Sequence, residues 1–508
     1  MNRIKLIFKN SIITVFFTLL SRLTGFVRDM VFAYFLGSGK QGDIFFAAFR
    51  IPNMFRRIFG EGAMASVFIP IFSRRFEKDK NSAISFAYKI LFLLFVALIL
   101  LSIAMIIFMP QIVSFSSEGF KQDYEKFQTT VYIAKILSPF VIFICLGAIL
   151  ASMLMSVGNF FYHTSISVVY NIVIIACLIF FFKFTNFSVL YIFTFSVLVA
   201  GVVQFLFPIL GLFRNNLLPI QNSKPVTEDL KLFFTRFLPA FLSSGIYQIN
   251  VFIDSIFASF FAGATAFLYY TDRIGQLPLS LIGHTIGTVL LPSLSKNLTQ
   301  NELSEIQQKT VNFSLILSIP CVVGVWLLSE EIVSFVFKRG AFDEPSVKIV
   351  ANMLIIYMLT MPLNVLNKIF NSYLMSKGLV KVNFIASILS IITNITTNFL
   401  LYKTSVGMYC VVIAMSVSSF VNFLCLFFAC AYSKNLFLKL STFVLAVKII
   451  FLSYFSIFIA KKIFLTMFNT QSNSIFLGIL TLTSALYLCG VLVFRIIKIE
   501  DIKKFLKK

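Results

Sequence analysis

Long apolar runs recur along the whole chain, from a first one near 11–36 to a last one near 474–497. The apolar residues follow one another continuously and do not alternate with polar ones, and each run approaches or exceeds the roughly 20 residues a helix needs to cross the hydrocarbon core of a bilayer. A backbone in lipid must satisfy its own hydrogen bonds, which leaves helices or a closed barrel, and continuous runs favour helices. The pattern therefore predicts an all-α polytopic membrane protein.

The pattern resolves into about fourteen predicted transmembrane helices. A polar stretch at 214–229 follows the first six and is the longest clear linker after them, so it predicts a boundary between two lobes. We expect an N-terminal lobe at 1–222, a C-terminal lobe at 223–434 and two additional helices at 435–508. The spans lie near 11–36, 43–72, 86–113, 128–157, 160–182, 188–213, 230–261, 264–294, 310–337, 345–376, 379–402, 405–432, 440–464 and 474–497.

Composition and charge agree with this interpretation. The chain has 508 residues, of which 59% are hydrophobic and 12% charged, so it is too apolar for a soluble protein of this length. A formal charge of +23 would suggest nucleic acid in a soluble protein, but here the basic residues concentrate in loops and in the C-terminal tail. That distribution is typical of the positive-inside rule and predicts that both termini are cytoplasmic, with no nucleic-acid partner. We expect the first span to be uncleaved.

Ionisable residues inside four of the spans carry the functional signal. Each charge at the centre of a membrane helix costs about 2.5–3.5 kcal/mol, so such residues are paired or line a hydrated cavity. Cations outnumber acids among them, and an excess of buried cation predicts an anionic ligand; the planar fork of arginine suits phosphate oxygens. The residues are Arg22, Arg28 and Asp29 in span one, Asp43, Arg50, Arg56, Arg57 and Glu61 in span two, Asp254 in span seven, and Asp272 and Arg273 in span eight.

Helical spacing predicts which of these groups share a face. Asp43, Arg50 and Arg57 are seven residues apart and Glu61 follows four later, so they are predicted to form one stripe. Gly25 is expected to allow a close approach or a bend on the first helix. Internal salt bridges are the alternative interpretation, which is at least as strong for Asp29, Arg57 and Asp272.

An internal repeat is visible between spans two and eight. Arg50 and Gly60 have counterparts 223 residues later at Arg273 and Gly283. A shift of six helices keeps both halves in the same orientation, so the repeat predicts lobes related by an axis along the membrane normal. Transporters built this way bind substrate at the interface between repeats.

The charged spans also resemble a known family. The sequences SRLTGFVRD at 21–29, DIFFAAFRIPN at 43–53 and RRIFGEGA at 56–63 resemble the MurJ (MviN) lipid II flippases, as do YYTDR at 269–273 and GTVLLPSLS at 287–295. The resemblance covers essentially the whole chain. It implies two six-helix lobes arranged in a V, as in the multidrug/oligosaccharidyl-lipid/polysaccharide exporter superfamily, with two C-terminal helices forming a groove for the polyprenyl tail.

The same resemblance implies the function and the site. It implies a bacterial inner-membrane flippase that moves lipid II, the undecaprenyl-linked disaccharide-peptide, from the cytoplasmic to the periplasmic leaflet without catalysing a reaction or using a cofactor. Membrane lipids and the cell-wall synthesis machinery are the other expected partners. One departure is Gln276, where some relatives have an acid. By the resemblance, Arg22, Arg28, Arg56 and Arg273 bind the pyrophosphate and sugar headgroup, and Asp43, Arg50, Glu61 and Asp272 occupy further polar cavity positions.

Other functions leave weaker traces in the sequence. A flippase for another polyprenyl-linked glycan stays open, as does a cation-coupled drug exporter of the same superfamily, for which a less cationic cavity is expected. A membrane glycosyltransferase or polymerase would need a catalytic carboxylate or metal site in a large extracytoplasmic loop, and the longest such loop, at 114–128, is short.

A cation site is predicted separately from the arginines. Asp254 lies in span seven, and Asn394 and Asn398 lie four residues apart in span eleven. One carboxylate and two amide oxygens suit a hard cation, so these residues predict a sodium site within the second lobe. The alternative is an acid that is hydrogen-bonded between helices.

Overall fold

The computed structural model describes residues 2–58, 64–219, 227–294, 300–432, 440–467, 473–494 and 496. Throughout these ranges every regular element is helical, which confirms the predicted all-α class. The chain divides into two compact units: Met1–Ala266 together with Arg339–Phe342, and Phe267–Lys338 together with Asp343–Lys508.

In its described residues the first unit contains nine α-helices and the first residues of a tenth. A 3₁₀ turn at Glu118–Gln122 joins the fourth and fifth helices. The helices are α1 (Asn2–Leu36), α2 (Lys40–Ile58), α3 (Met64–Lys78), α4 (Lys80–Ser116), α5 (Tyr124–Leu137), α6 (Phe140–Ser156), α7 (Phe160–Phe184), α8 (Val189–Arg214), α9 (Thr227–Ala258) and the start of α10 (Ala264–Leu294).

The part of the second unit that the structure describes contains the rest of α10 and seven further α-helices. Its longest helix bends near Leu328, whose backbone angles are not helical. The helices are α11 (Gln300–Phe337), α12 (Glu344–Leu359), α13 (Met361–Ser376), α14 (Val380–Leu401), α15 (Cys410–Tyr432), α16 (Leu440–Met467) and α17 (Asn473–Val493).

Ten spans in the described residues are long and apolar enough to cross a membrane. They do not include α1, α2 with α3, α9 or α10, which correspond to the four predicted spans that carry ionisable residues. The chain is a multi-pass membrane protein, and the number fourteen stays a prediction.

Aspartate side chains cap the N-terminal ends of several helices. Asp79 accepts hydrogen bonds from the backbone N–H groups of Asn81 and Ser82 at the start of α4, and Asp343 caps α12 through the N–H group of Ser346. These carboxylates satisfy donors that a helix leaves without partners and face the positive end of its dipole.

The core of the first unit lies directly beside the charged part of α1. Phe32 is 1% exposed and packs edge-on against Phe45 of α2 and Phe193 of α8, with ring centroids 5.8 and 5.0 Å away. By contrast, Phe92 on α4 is 66% exposed. Apolar side chains are expected on the outer surface where lipid replaces water as solvent. This aromatic packing fixes the position of the α1 turn before Phe32, and Arg28 lies on that turn.

The division into lobes in the membrane stays a prediction, with its boundaries at 1–222, 223–434 and 435–508. Grouped by its internal contacts, α9 belongs to the first unit, where it packs on α3 and α4.

Candidate substrate-binding site

The guanidinium group of Arg28 is held in place by two side chains. Its Nε and Nη2 donate to Oδ1 of Asp29 at 3.1 and 2.8 Å, and its Nη1 donates to Oδ1 of Asn171 on α7 at 2.9 Å. The guanidinium carbon also lies 5.5 Å from the ring centroid of Phe32. Asp29 is 3% exposed, so the pair sits at the edge of the core with Arg28 partly accessible. A fixed arginine fork of this kind is suited to binding phosphate oxygens.

A glycine allows Asn171 to reach α1. A Cβ added to Gly25 would lie 3.3 Å from Nδ2 of Asn171, which donates to the carbonyl oxygen of Ser21 and to Oγ1 of Thr24, each at 3.2 Å. The predicted close approach at Gly25 is therefore confirmed. Through this close approach α7 packs against the turn of α1 that lies between Arg22 and Arg28. Arg22 itself is half-buried.

Asp43 is completely buried and its carboxylate is surrounded by donors. Oδ2 accepts from Nζ of Lys126 on α5 at 2.7 Å and from the backbone N–H of Gly263 at 2.8 Å, while Oδ1 accepts from the N–H of Ala266 at 3.1 Å. The ammonium group of Lys126 lies 3.8 Å from the ring centroid of Phe120. In this arrangement Asp43 joins α2, α5 and the turn before α10, and its role in substrate binding stays a prediction.

The remaining cations of α2 lie nearer the surface. Arg50, Arg56 and Arg57 are half-buried, and Nε of Arg56 donates to Oδ1 of Asn53 at 2.8 Å. Within the predicted stripe, Arg50 and Arg57 are thus more exposed than Asp43, which is completely buried. The fourth member, Glu61, lies outside the described residues.

On α10 the acid and the arginine of the second motif have different environments. Asp272 accepts from Nε2 of Gln276, one turn further along, at 2.7 and 2.6 Å, and from the hydroxyl of Tyr357 on α12 at 3.0 Å. Arg273 lies over the ring of Tyr269, with its guanidinium carbon 4.6 Å from the centroid, and is half-buried. Gln276 acts here as the donor that orients Asp272.

A further cation, Lys368 on α13, lies against α10. A Cβ built on Gly283 would come within 2.6 Å of Nζ of Lys368, so the absence of a side chain at Gly283 makes room for the ammonium group. Lys368 is exposed although it lies in the middle of an apolar helix. Helix α10 therefore carries Asp272 and Arg273 and also contacts Lys368.

The predicted sodium ligands are all buried, but they do not belong to the same unit. Asp254 is 3% exposed and lies in the first unit; Asn394 and Asn398 are 1% and 0% exposed and lie in the second. Nδ2 of Asn398 donates to Oδ1 of Asn394 at 2.9 Å, and Oδ1 of Asn398 accepts no hydrogen bond from any described residue. That buried oxygen is of the type that a hard cation prefers. Whether the three residues share a cation stays a prediction.

Comparison with known proteins gives the family. A family model described as "Lipid II flippase MurJ" matches residues 32–486. The chain belongs to the MurJ family. A "Probable lipid II flippase MurJ" of Rickettsia prowazekii (strain Madrid E) is 34% identical over 401 residues, 78% of each chain. Another MurJ relative with the same description, from Rhizobium meliloti (strain 1021), is 36% identical over 418 residues, which cover 81% of this chain and 78% of the relative.

Solved structures agree with the MurJ assignment. A structure titled "Lipid II flippase MurJ, inward closed conformation" matches with a TM-score of 0.79 and 25% identity, over 95% of this chain and 98% of that one. A multidrug resistance transporter of the MATE family, 16% identical, matches with a TM-score of 0.66 over 83% of this chain and 98% of its own. At that identity the second match shows the fold alone.

Several residues that build the site were missed in the sequence. Asn171 and Tyr357 are uncharged, so only the contact with a motif residue identifies them. Lys126 lies in the stretch 114–128, which the sequence predicts to be an extracytoplasmic loop, whereas the structure buries it to 8% exposure against Asp43. Lys368 could have been found, because it is a lysine in the middle of an apolar run.

Proposed function

We propose that this protein is a lipid II flippase of the bacterial inner membrane. The observation that carries the proposal is the surplus of arginine on α1 and α2 in a chain of the MurJ family. The two helices contain two acids, Asp29 and Asp43, which are engaged with Arg28 and Lys126. Arg22, Arg50, Arg56 and Arg57 are four further arginines on the same two helices, so arginines outnumber acids there.

The chemistry of the ligand follows from this surplus. A lipid-linked pyrophosphate presents several anionic oxygens close together, which guanidinium groups bind in pairs of hydrogen bonds. Arg22, Arg28, Arg56 and Arg273, to which the family resemblance gives this role, are proposed to hold that headgroup. Hydrogen bonds to charged groups contribute about 1.5–3 kcal/mol each. Loss of one arginine should therefore lower the transport rate by about one to two orders of magnitude.

The proposed mechanism is alternating access without making or breaking a bond. The headgroup is shielded by the polar faces of α1, α2 and α10 while the polyprenyl tail stays in lipid, where α16 and α17 are proposed to form its groove. Both termini are proposed to lie in the cytoplasm. Because the membrane potential is negative inside, it favours outward movement of each negative charge by about 2.3 kcal/mol per 100 mV.

Transport of fluorescent lipid II in proteoliposomes tests the function. We expect Arg28→Ala to reduce the rate at least tenfold and Arg28→Lys to restore it only in part, because lysine keeps the charge but loses the fork. Arg74→Ala is the matched control: its side chain is 65% exposed and 3.7 Å from Asp229, so the rate should not change. Equal rates for wild type and Arg28→Ala would contradict the proposal.

Rocking of the predicted lobes is tested by cross-linking. Cysteines at the cytoplasmic ends of predicted spans two and eight, in a chain without its seven native cysteines, should form a disulfide that stops transport and releases it on reduction. Unaltered transport by the cross-linked protein would contradict alternating access.

Sodium coupling is proposed as a second feature of the transporter. It is supported by the buried carboxylate of Asp254 and by the amide oxygen of Asn398 that accepts no hydrogen bond from a described residue. Asp254→Asn should weaken the dependence of transport on sodium and leave binding of lipid II unchanged. Identical transport in sodium and in potassium would contradict this part alone.

A further inference from the structure

A hollow on the outer surface of the first unit is not used by the proposed transport mechanism. It has a volume of about 490 Å³ and lies between α4, the first turns of α9 and the segment that follows α8. The side chains that decide its character are those of Ser85, Tyr88, Lys89, Phe92, Leu93 and Leu230.

Lys89 places a positive charge at the edge of the apolar part of α4. It is exposed, and it takes part in no ion pair among the described residues. Residues 90–116 carry no charge and extend about 40 Å at 1.5 Å per residue, enough to cross the hydrocarbon core. The ammonium group therefore lies at the level of lipid headgroups, where the long side chain of a lysine can remain.

The two ends of the hollow differ in polarity along α4. Towards the start of the helix lie Ser85 and Tyr88, whose hydroxyl donates to the carbonyl oxygen of Leu217 at 3.3 Å. One turn after Lys89, towards the middle of the helix, lie Phe92 and Leu93, which are 66% and 42% exposed. A ligand that fits must be polar at the level of Lys89 and apolar towards the membrane centre.

We propose that this hollow binds an anionic glycerophospholipid. The phosphate would accept from Lys89, the glycerol and ester groups would face Ser85 and Tyr88, and an acyl chain would lie on Phe92 and Leu93. Among the described residues that line the hollow none is acidic, so none of them would receive the ammonium group of a zwitterionic lipid. This site is independent of the arginines and goes beyond the proposed function.

Native mass spectrometry of the full-length protein tests the proposal. The protein is titrated in detergent with dioleoyl-phosphatidylglycerol and, separately, with dioleoyl-phosphatidylethanolamine. One interfacial basic residue contributes about 1 kcal/mol to binding anionic lipid, which corresponds to a factor of about five. We expect Lys89→Gln to weaken binding of phosphatidylglycerol about fivefold and Lys89→Arg to retain it.

Matched variants separate the site from general charge effects. Lys448→Gln removes an exposed lysine near the start of α16, which is not among the residues that line the hollow, and should leave the affinity unchanged. Phe92→Ser should weaken binding while keeping the charge. Equal affinities for Lys89→Gln and wild type, an equal loss in Lys448→Gln, or equal Lys89-dependent binding of phosphatidylethanolamine would overturn the proposal. So would displacement of the lipid by inorganic phosphate, which would mean that the acyl chain is not bound.

Discussion

Removal of the carboxylate of Asp43 should loosen the turn between α9 and α10. The Asp43→Ala variant leaves the ammonium group of Lys126 without its anion and leaves the N–H groups of Gly263 and Ala266 without their acceptor. Both amides lie where the first turn of α10 has donors that the helix itself cannot satisfy. In the wild type one side chain from α2 supplies that acceptor, so local opening of the turn must break two hydrogen bonds.

The size of the effect follows from the burial of the pair. Asp43 is 0% exposed and the side chain of Lys126 is 10% exposed. Removing one partner of a buried ion pair costs about 3–5 kcal/mol, and the lower end applies because Lys126 retains some contact with solvent. About 3 kcal/mol corresponds to a factor of about 150 in the equilibrium constant for local opening.

Hydrogen–deuterium exchange of the purified protein measures this opening directly. Peptides that contain Gly263 and Ala266 should exchange about 150-fold faster in Asp43→Ala, since exchange of protected amides follows the local opening equilibrium. Glu125→Gln is the matched control, because its side chain is 83% exposed and pairs with exposed Lys40. A solvent-exposed pair of that kind contributes little to stability, so the control should change exchange by less than about fivefold.

A double variant decides whether the ion pair is the cause. Lys126→Met combined with Asp43→Ala removes both buried charges, so part of the lost protection should return and the two changes should not be additive. Exchange that stays at the wild-type rate in Asp43→Ala would refute the reasoning. Strict additivity in the double variant would also refute it, because the two groups would then act separately.

Two further predictions concern a close contact and a pH dependence. Gly283→Ala should lower transport severalfold, because its new methyl group would displace the lysine ammonium group that lies against it, whereas Gly324→Ala, which meets nothing within 4 Å, should leave transport unchanged; equal effects would contradict this. The pKa of Asp123 is held below 3.8 by the backbone N–H of Lys126 and by the side chain of Lys40, so its stabilising effect is present above that pH and is lost as the pH falls through the lowered pKa. The difference in thermal midpoint between wild type and Asp123→Asn should therefore be constant from about pH 5 to 7 and vanish in stronger acid; a difference that grows on acidification would contradict it.

The sequence by itself determined the class of the protein and the chemistry of its ligand. Continuous apolar runs leave the backbone of each span to satisfy its own hydrogen bonds, so an all-α membrane protein follows from local pattern alone. The arginines of α1, α2 and α10 could be found in the same way, because a charge in an apolar run is costly wherever the helix packs. Their surplus over acids is a matter of counting, and it does not depend on the fold.

The tertiary structure alone decided which groups meet. Asp43 was predicted to face a cavity with Arg50, but its partners are Lys126, 83 residues away, and Gly263, 220 residues away. Arg28 likewise is oriented by Asn171, which is 143 residues away and carries no charge. Helical periodicity specifies the face on which a residue lies but not the helix opposite that face. Partners of this kind are selected by packing between distant segments, and so these contacts could not be obtained from spacing along the chain.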